Sequence, residues 1–406
     1  LAAVVVLSIG SPAVGETGEA GAAEESEDRT APEDSAAEAV SPRGGRFAVG
    51  GTVNRTINFV DDGVSTQSYH VDSVNFPTLF YFKGSKDVSD HLTVGGHIEA
   101  AIQDNSAVDV NQNTREAGLN FSSRFFEITL DSTRYGKLSL GRGFMASAYM
   151  WELDKTDTWR YNQLSTGSSF AGMLLADSAG ALSDIPIALV YFDAEGFAFR
   201  NRVRYDSPLF GGVQLSGAVG SGDSLDGALR WDYDTPTISL AVRASGQNEP
   251  TDRVELIGSR IDWRVDGGVG VLHKPTGLSL VVAAGEQNYK PEFYEQFNRT
   301  DGRNFGAIVR AGLRRDWFGI GDTKLSLDFF RVNDVVWEDD EAISYGLFVG
   351  QYIEKWHLEP YVGVRVYDFD SGPNAGKSFR KMTGFAIGAI FDFSFSRDES
   401  APKAGS

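Results

Sequence analysis

The chain has 406 residues, no cysteine and a formal net charge of −19. The missing thiols exclude disulfides, thiolate metal sites and cysteine nucleophiles, and the acidic balance argues against a nucleic-acid partner, which needs a basic surface. Gly (46), Phe (27) and Tyr (14) are abundant while Met (4) and Pro (13) are sparse, a composition suited to many short strands and turns.

Residues 1–15, an apolar run from Leu1 to Gly10 followed by small residues, read as the remnant of a secretory signal peptide. Residues 16–45 are Ala, Glu, Ser and Gly with almost no large apolar side chain. They cannot bury enough surface to offset their ordering entropy, so a disordered acidic linker is expected. From residue 46 to 396 the pattern becomes alternation, and a polar tail follows at 397–406.

The first alternating run sets Phe47, Val49, Val53, Ile57 and Phe59 against Thr52, Asn54, Thr56 and Asn58. A polar loop is expected from Asp61 to about Ser73, then a strand from Val74 to Gly84 that Pro77 interrupts. Leu92 to Ala100 alternates with Glu99 on the polar side, and Phe126, Ile128 and Leu130 oppose Glu127, Thr129 and Asp131, with a bulge expected at Phe125-Phe126. After Lys137 to Gly143 comes a long irregular insert holding Glu152, Asp154 and Asp157. It ends in Phe197 to Tyr205, where Arg200, Arg202 and Arg204 share one parity and Phe197, Phe199, Val203 and Tyr205 the other. Alternate side chains of a strand point to opposite faces. If the apolar face meets lipid, the opposite register would put each Arg there at a cost of roughly 2–4 kcal/mol near the midplane.

The same pattern continues to Phe395. Its polar parity carries Arg230, Arg243, Arg260, Arg264, Arg310, Arg314 and Arg365. The apolar parity of one strand, Ile261, Trp263, Val265, Val269 and Val271, is expected to face away from Arg260 and Arg264. In all there are about sixteen strands near the roughly 9–11 residues that cross a bilayer, joined by alternating short turns and long loops. The polar parity is rich in Arg, Gly, Ser and carboxylates, as a narrow aqueous lumen would be. Tyr205, Phe210, Trp317, Trp356 and Phe395 fall where interfacial aromatic girdles are expected. The fold expected is all-β, a 16-stranded antiparallel transmembrane barrel, because closure removes sheet edges that lipid cannot satisfy.

Four stretches then carry a resemblance: GTVNRTINFVDDG from Gly51 to Gly63; Phe82-Lys-Gly-Ser with Leu92-Thr-Val-Gly-Gly-His-Ile-Glu99; Tyr135-Gly-Lys-Leu-Ser-Leu-Gly-Arg-Gly143; and Val203-Arg-Tyr-Asp-Ser-Pro-Leu-Phe-Gly-Gly212. In order and spacing they resemble Gram-negative general porins of the alphaproteobacterial kind, over Arg46 to Phe395. The resemblance implies a homotrimer whose long third loop folds into the pore, with pore arginines on the strand after it. It departs from the family at the C-terminus, where Phe395 is followed by a polar tail.

The function expected is passive diffusion of small hydrophilic solutes and ions across the bacterial outer membrane, with outer-membrane lipid around the barrel. Glu152, Asp154 and Asp157 would face Arg200, Arg202 and Arg204 across a constriction and set a transverse field. A specific channel guiding anions along the arginines is the alternative. A barrel enzyme is disfavoured because the five His are scattered and suggest no triad. No cofactor or metal is expected.

Overall fold

The computed structural model describes residues 45–148, 150–191, 199–248 and 261–398. The expected signal remnant, almost all of the acidic linker, most of the tail, and Phe197 and Arg260 lie outside the described residues.

Because each residue from Arg46 to Asp61 has a partner running from Asp398 back to Thr383, β1 (Gly45–Asp61) closes the sheet against β19 (Met382–Asp398). Between them the sheet proceeds through antiparallel neighbours: β2 (Thr66–Asp72), β3 (Leu79–Ser89), β4 (Leu92–Asp104), β5 (Leu119–Ser132), β6 (Gly136–Phe144), β9 (Phe199–Asp206), β10 (Val213–Gly220), β11 (Leu225–Asp234) and β12 (Ile238–Asn248). It continues with β13 (Ile261–His273), β14 (Leu278–Tyr289), β15 (Arg303–Arg315), β16 (Thr323–Asn333), β17 (Glu341–Gln351) and β18 (Leu358–Asp370). The sheet contains 17 strands, but β2 and β3 occupy one place, pairing respectively with Arg55–Asp61 and Gly45–Thr52 of β1, so the closed barrel has sixteen positions.

That shared place corrects the reading of residues 61–73 as loop. Thr66 to Asp72 are paired, with Tyr69 and Val71 turned inward and buried. The break falls at residues 73–78, where Pro77 lacks the N–H a ladder needs. The expected bulge is also present, one residue earlier than Phe125: Glu99 faces Phe125 while Ala100 faces Ser123, so Arg124 is the extra residue, and Arg124 and Phe125 are both buried.

The parity rule holds around the barrel. Phe126, Ile128, Leu140, Val203, Tyr205, Val282, Leu327, Phe385 and Phe391 are all exposed on the outer side, whereas the residues between them are largely buried. The five girdle aromatics are likewise exposed. A continuous apolar band of this extent is not the surface of a water-soluble monomer; it is a face for hydrocarbon. Ala100, Phe199 and Ile261 depart from the expected outward set, Ala100 beside the bulge at Glu99 and Ala100. Phe199 is buried with Phe125 and Phe144, its ring 4.0 Å from that of Phe144, because the ends of β6 and β9 turn toward the interior. Ile261 is also buried, next to a register shift between Ile261 and Trp263.

The parity makes a direct prediction. Leu140→Arg, near the middle of β6 on the outer face, should cost roughly 2–4 kcal/mol of folding stability in lipid vesicles. Urea titration followed by tryptophan fluorescence measures it, and an unchanged midpoint would mean that Leu140 does not meet hydrocarbon.

Candidate pore constriction

The insert between β6 and β9 contains one-turn 3-10 segments at Met150–Leu153, Thr158–Arg160 and Ser168–Phe170. They are followed by a small hairpin of β7 (Leu174–Ala176) and β8 (Leu182–Pro186), then the single turn α1 (Ile187–Val190). No long run of polar residues could be buried this way unless another surface satisfied it. That surface is the inner wall of the barrel from β12 to β19.

Glycines on the inward parity make room for the insert. Leu153 lies against Gly268 and Gly270 of β13, and Thr156 against Gly312 of β15. The Tyr161 ring occupies the space over Gly350 of β17, and the Phe170 ring that over Gly384 of β19. The insert therefore crosses the wall strand by strand, and a Cβ at any of these glycines would overlap it. Around these contacts Tyr161, Leu164, Phe170, Met173, Ile187 and Tyr191 form one apolar cluster with wall residues such as Ile308, Phe330, Phe348 and Tyr367. Tyr161 stacks on Tyr361 at 4.8 Å and 10°. At the other side Trp159 meets Phe76 edge-on at 5.5 Å, so the strand break at residues 73–78 is also closed by the insert. Burial holds the Tyr161 and Tyr191 hydroxyls well above the usual tyrosine range.

Polar groups fasten the same face. Glu152 accepts from Arg243 Nε at 2.7 Å, and Arg243 also donates to Asp232 at 3.0 Å. Asp154 receives Arg310 Nη1 at 2.9 Å, the Thr156 N–H at 3.1 Å and the Thr158 hydroxyl at 2.6 Å. Arg310 also donates to Asp328 at 3.1 Å and to the Gln163 carbonyl at 2.7 Å, and Asp328 in turn holds Arg365 and Asn162. Asp157, in the left-handed region at φ 62°, accepts from Arg314, which also donates to Asp322 at 2.6 Å. Arg160 donates to both oxygens of Asp392 at 2.9 and 2.6 Å, and lies 3.5 Å from Glu359.

Among the described residues the acids of the insert thus meet Arg243, Arg310 and Arg314 rather than the arginines of β9. Those have other work. Arg202 donates to Glu127 at 2.6 Å and to the Phe144 carbonyl at 2.8 Å. Arg204 donates to Asp206 at 2.8 Å and to the Met145 carbonyl at 3.2 Å. Together they tie down the chain where it leaves β6 for the insert. Arg200 is buried beside them, and Arg230 shares Asp206 at 2.9 Å. Arg264 is buried with Gln287 as acceptor at 2.9 Å, and Glu99 is buried against Arg124 at 2.5 Å.

Sequence reading missed Glu127, Arg160, Asp328, Glu359 and Asp392 as members of this network, and it missed the glycine seats. A signal for the seats was present: Gly268, Gly270, Gly312, Gly350 and Gly384 share the inward parity with Ile308, Phe330 and Phe348, a pairing of gaps and apolar surface that a water-filled wall has no use for. Among the described residues no group of three or more His, Asp or Glu side chains converges to hold a metal ion.

Two outcomes follow. Gly350→Leu should expel Tyr161 from its seat, making the insert cleavable by added protease while the barrel keeps its heat-modifiable gel mobility. Asp154→Ala should cost about 3–5 kcal/mol in urea titration, because it strips a carboxylate from fully buried Arg310. An insert that stays protease-resistant in both variants would contradict this account of how it is held.

Comparison with known proteins agrees with the geometry. The sequence matches the Gram-negative porin family over residues 30–389. No curated protein sequence matches significantly. Among solved structures the fold is similar to the anion-selective porin from Comamonas acidovorans, at 15% identity, covering 86% of this chain and 100% of that one with a TM-score of 0.57. It is also similar to the Salmonella typhi OmpF complex with daunomycin, at 12% identity, 87% and 98% coverage and a TM-score of 0.52. The trimer form of in-vitro folded OmpT, an outer membrane protein of Vibrio cholerae, is 13% identical, with 86% and 99% coverage and a TM-score of 0.50. With a closed sixteen-position barrel, an apolar exterior and a family match over most of its length, the chain belongs to the Gram-negative porins, channels for passive diffusion across the bacterial outer membrane.

Proposed function

We propose that the insert narrows the lumen and that small hydrophilic solutes and ions pass between its free edge and the wall from β3 to β11. The observation that carries this reading is the difference in water access along the insert. Asp154 and Arg310 are sealed off, whereas Asp157 and Arg314 each keep 31% of their side-chain surface accessible. Lys155, 3.3 Å from Asp232, is accessible as well, and so is Asp232. Water in the constriction therefore meets Asp157, Arg314, Lys155 and Asp232, a mixed row whose field orders water and disfavours apolar solutes. In this reading Glu152, Asp154, Arg200, Arg202 and Arg204 shape the constriction by holding the insert.

An arginine ladder for anions finds little support, because Arg202, Arg204, Arg243, Arg310 and Arg314 each pair with a carboxylate. The proposed role involves no bond-making step. His91, His273 and His357 lie at or beside the short turns and His70 in β2, apart from one another along the sheet. A homotrimer with outer-membrane lipid around its apolar face is proposed by analogy with the trimeric OmpT form. Denaturing gels of unheated protein should then show a band near three times the chain mass.

Single-channel recording in a planar bilayer tests the function. Stepwise conductance that rises linearly with salt is expected, and its absence would refute the channel. Replacing Asp157 and Arg314 together by Asn and Gln should alter the step size without abolishing it; unchanged steps would remove this pair from the constriction.

A further inference from the structure

On the inward face of β4, two buried polar atoms face each other without a hydrogen bond. Glu99 Oε2 and His97 Nε2, adjacent inward positions on β4, are 3.5 Å apart, and neither has a hydrogen-bond partner among the described residues. The other Glu99 oxygen is taken by Arg124 Nε at 2.5 Å. Buried polar atoms in native proteins are nearly always satisfied, and a proton on Nε2 can serve both atoms at once. The imidazole is held in place by stacking on Phe125 at 4.2 Å and 23°. It keeps 14% of its side-chain surface accessible against 1% for Glu99, so the lumen reaches the histidine and not the carboxylate.

From these observations we propose that His97 with Glu99 is a proton-binding site in the channel wall, and that its occupation moves the pore's ion preference toward anions as pH falls. The inference rests on the channel reading above. Titratable and charged neighbours come from each packed strand. β3 supplies Tyr81 and Lys83, the latter directly opposite His97; β5 supplies Arg124 and Glu127, the latter opposite on the other side; β9 supplies Arg202, bonded to Glu127. With neutral His97 these groups hold two carboxylates against Lys83, Arg124 and Arg202. Both carboxylates already have a guanidinium bonded to them. Among the described residues, a proton on His97 therefore adds one unit of positive charge to this stretch of wall. Histidine changes charge between about pH 5 and 8, where exposed carboxylates stay ionised and lysines stay charged. A unit charge about 8 Å from an ion path in water changes ion occupancy by roughly twofold.

The test is the reversal potential of the full chain in planar bilayers under a potassium chloride gradient, from pH 8 to pH 5.5. The anion-to-cation permeability ratio should rise about fourfold on acidification, because the added charge raises anion occupancy and lowers cation occupancy by the same factor. His97→Gln should hold the pH 8 value throughout, and His97→Lys should hold the pH 5.5 value throughout. Heat-modifiable mobility checks that each variant is folded, and the Lys variant decides the matter if the Gln variant fails to assemble. A ratio that does not move in the wild type, or that still moves in His97→Gln or His97→Lys, overturns the proposal while leaving the channel intact. Absence of conductance steps in the wild type overturns the channel reading itself.

Discussion

Everything in this molecule depends on the sheet having no free edge. Hydrocarbon offers no partner to a backbone N–H or carbonyl, so the sixteen residue pairs joining β1 to β19 are the condition under which the other strands can stand in a membrane. Closure creates two surfaces with different solvents, and the two-residue period of a strand then sorts every side chain to one or the other. A one-residue slip anywhere would turn a row of Phe, Leu and Val inward and a row of Arg and Asp into lipid. The sorting explains why alternation is strict in the spanning parts and lapses in β2, whose outward Thr66, Ser68 and His70 need not face hydrocarbon.

The inner surface is itself divided. From β13 to β19 it has glycine gaps and inward Ile308, Phe330 and Phe348, and the insert fills them with Leu153, Tyr161 and Phe170. This is a protein core built inside a channel. Charged groups that lie beneath it must be matched, since an unmatched buried charge costs several kcal/mol. Asp154, Asp328, Arg310 and Arg365 are matched among themselves and by Asn162. On the remaining wall the arginines of β9 clamp the Phe144 and Met145 carbonyls, which fixes where the insert starts its crossing. The insert is thus fixed at its start by β9 and along its length by the wall from β12 to β19.

Much of the fold was legible because one physical rule, side-chain parity against two solvents, acts on every spanning strand. Val203 and Tyr205 were placed outward and Arg202 and Arg204 inward by that rule, and so they lie. It failed where a strand ends and the chain turns: Phe199 continues the outward parity in sequence yet joins an interior aromatic cluster. The site was less legible. Glu152, Asp154 and Asp157 could be read as acids inside the barrel only through resemblance, and their partners could not be read at all. Arg243, Arg310 and Arg314 are about 90 to 160 residues away along the chain, and nothing in local pattern distinguishes them from the nearer Arg200, Arg202 and Arg204.

The sequence by itself determined the class of fold, the direction of most spanning side chains and the side of the membrane problem on which each strand face lies. These are consequences of local periodicity, and a period is carried by neighbours in the chain. The tertiary structure alone decided which carboxylate meets which guanidinium, which glycines become seats, and which charges keep contact with water. Those depend on how a long insert lies across strands remote from it in sequence, where only shape and the cost of leaving a buried group unmatched select one arrangement.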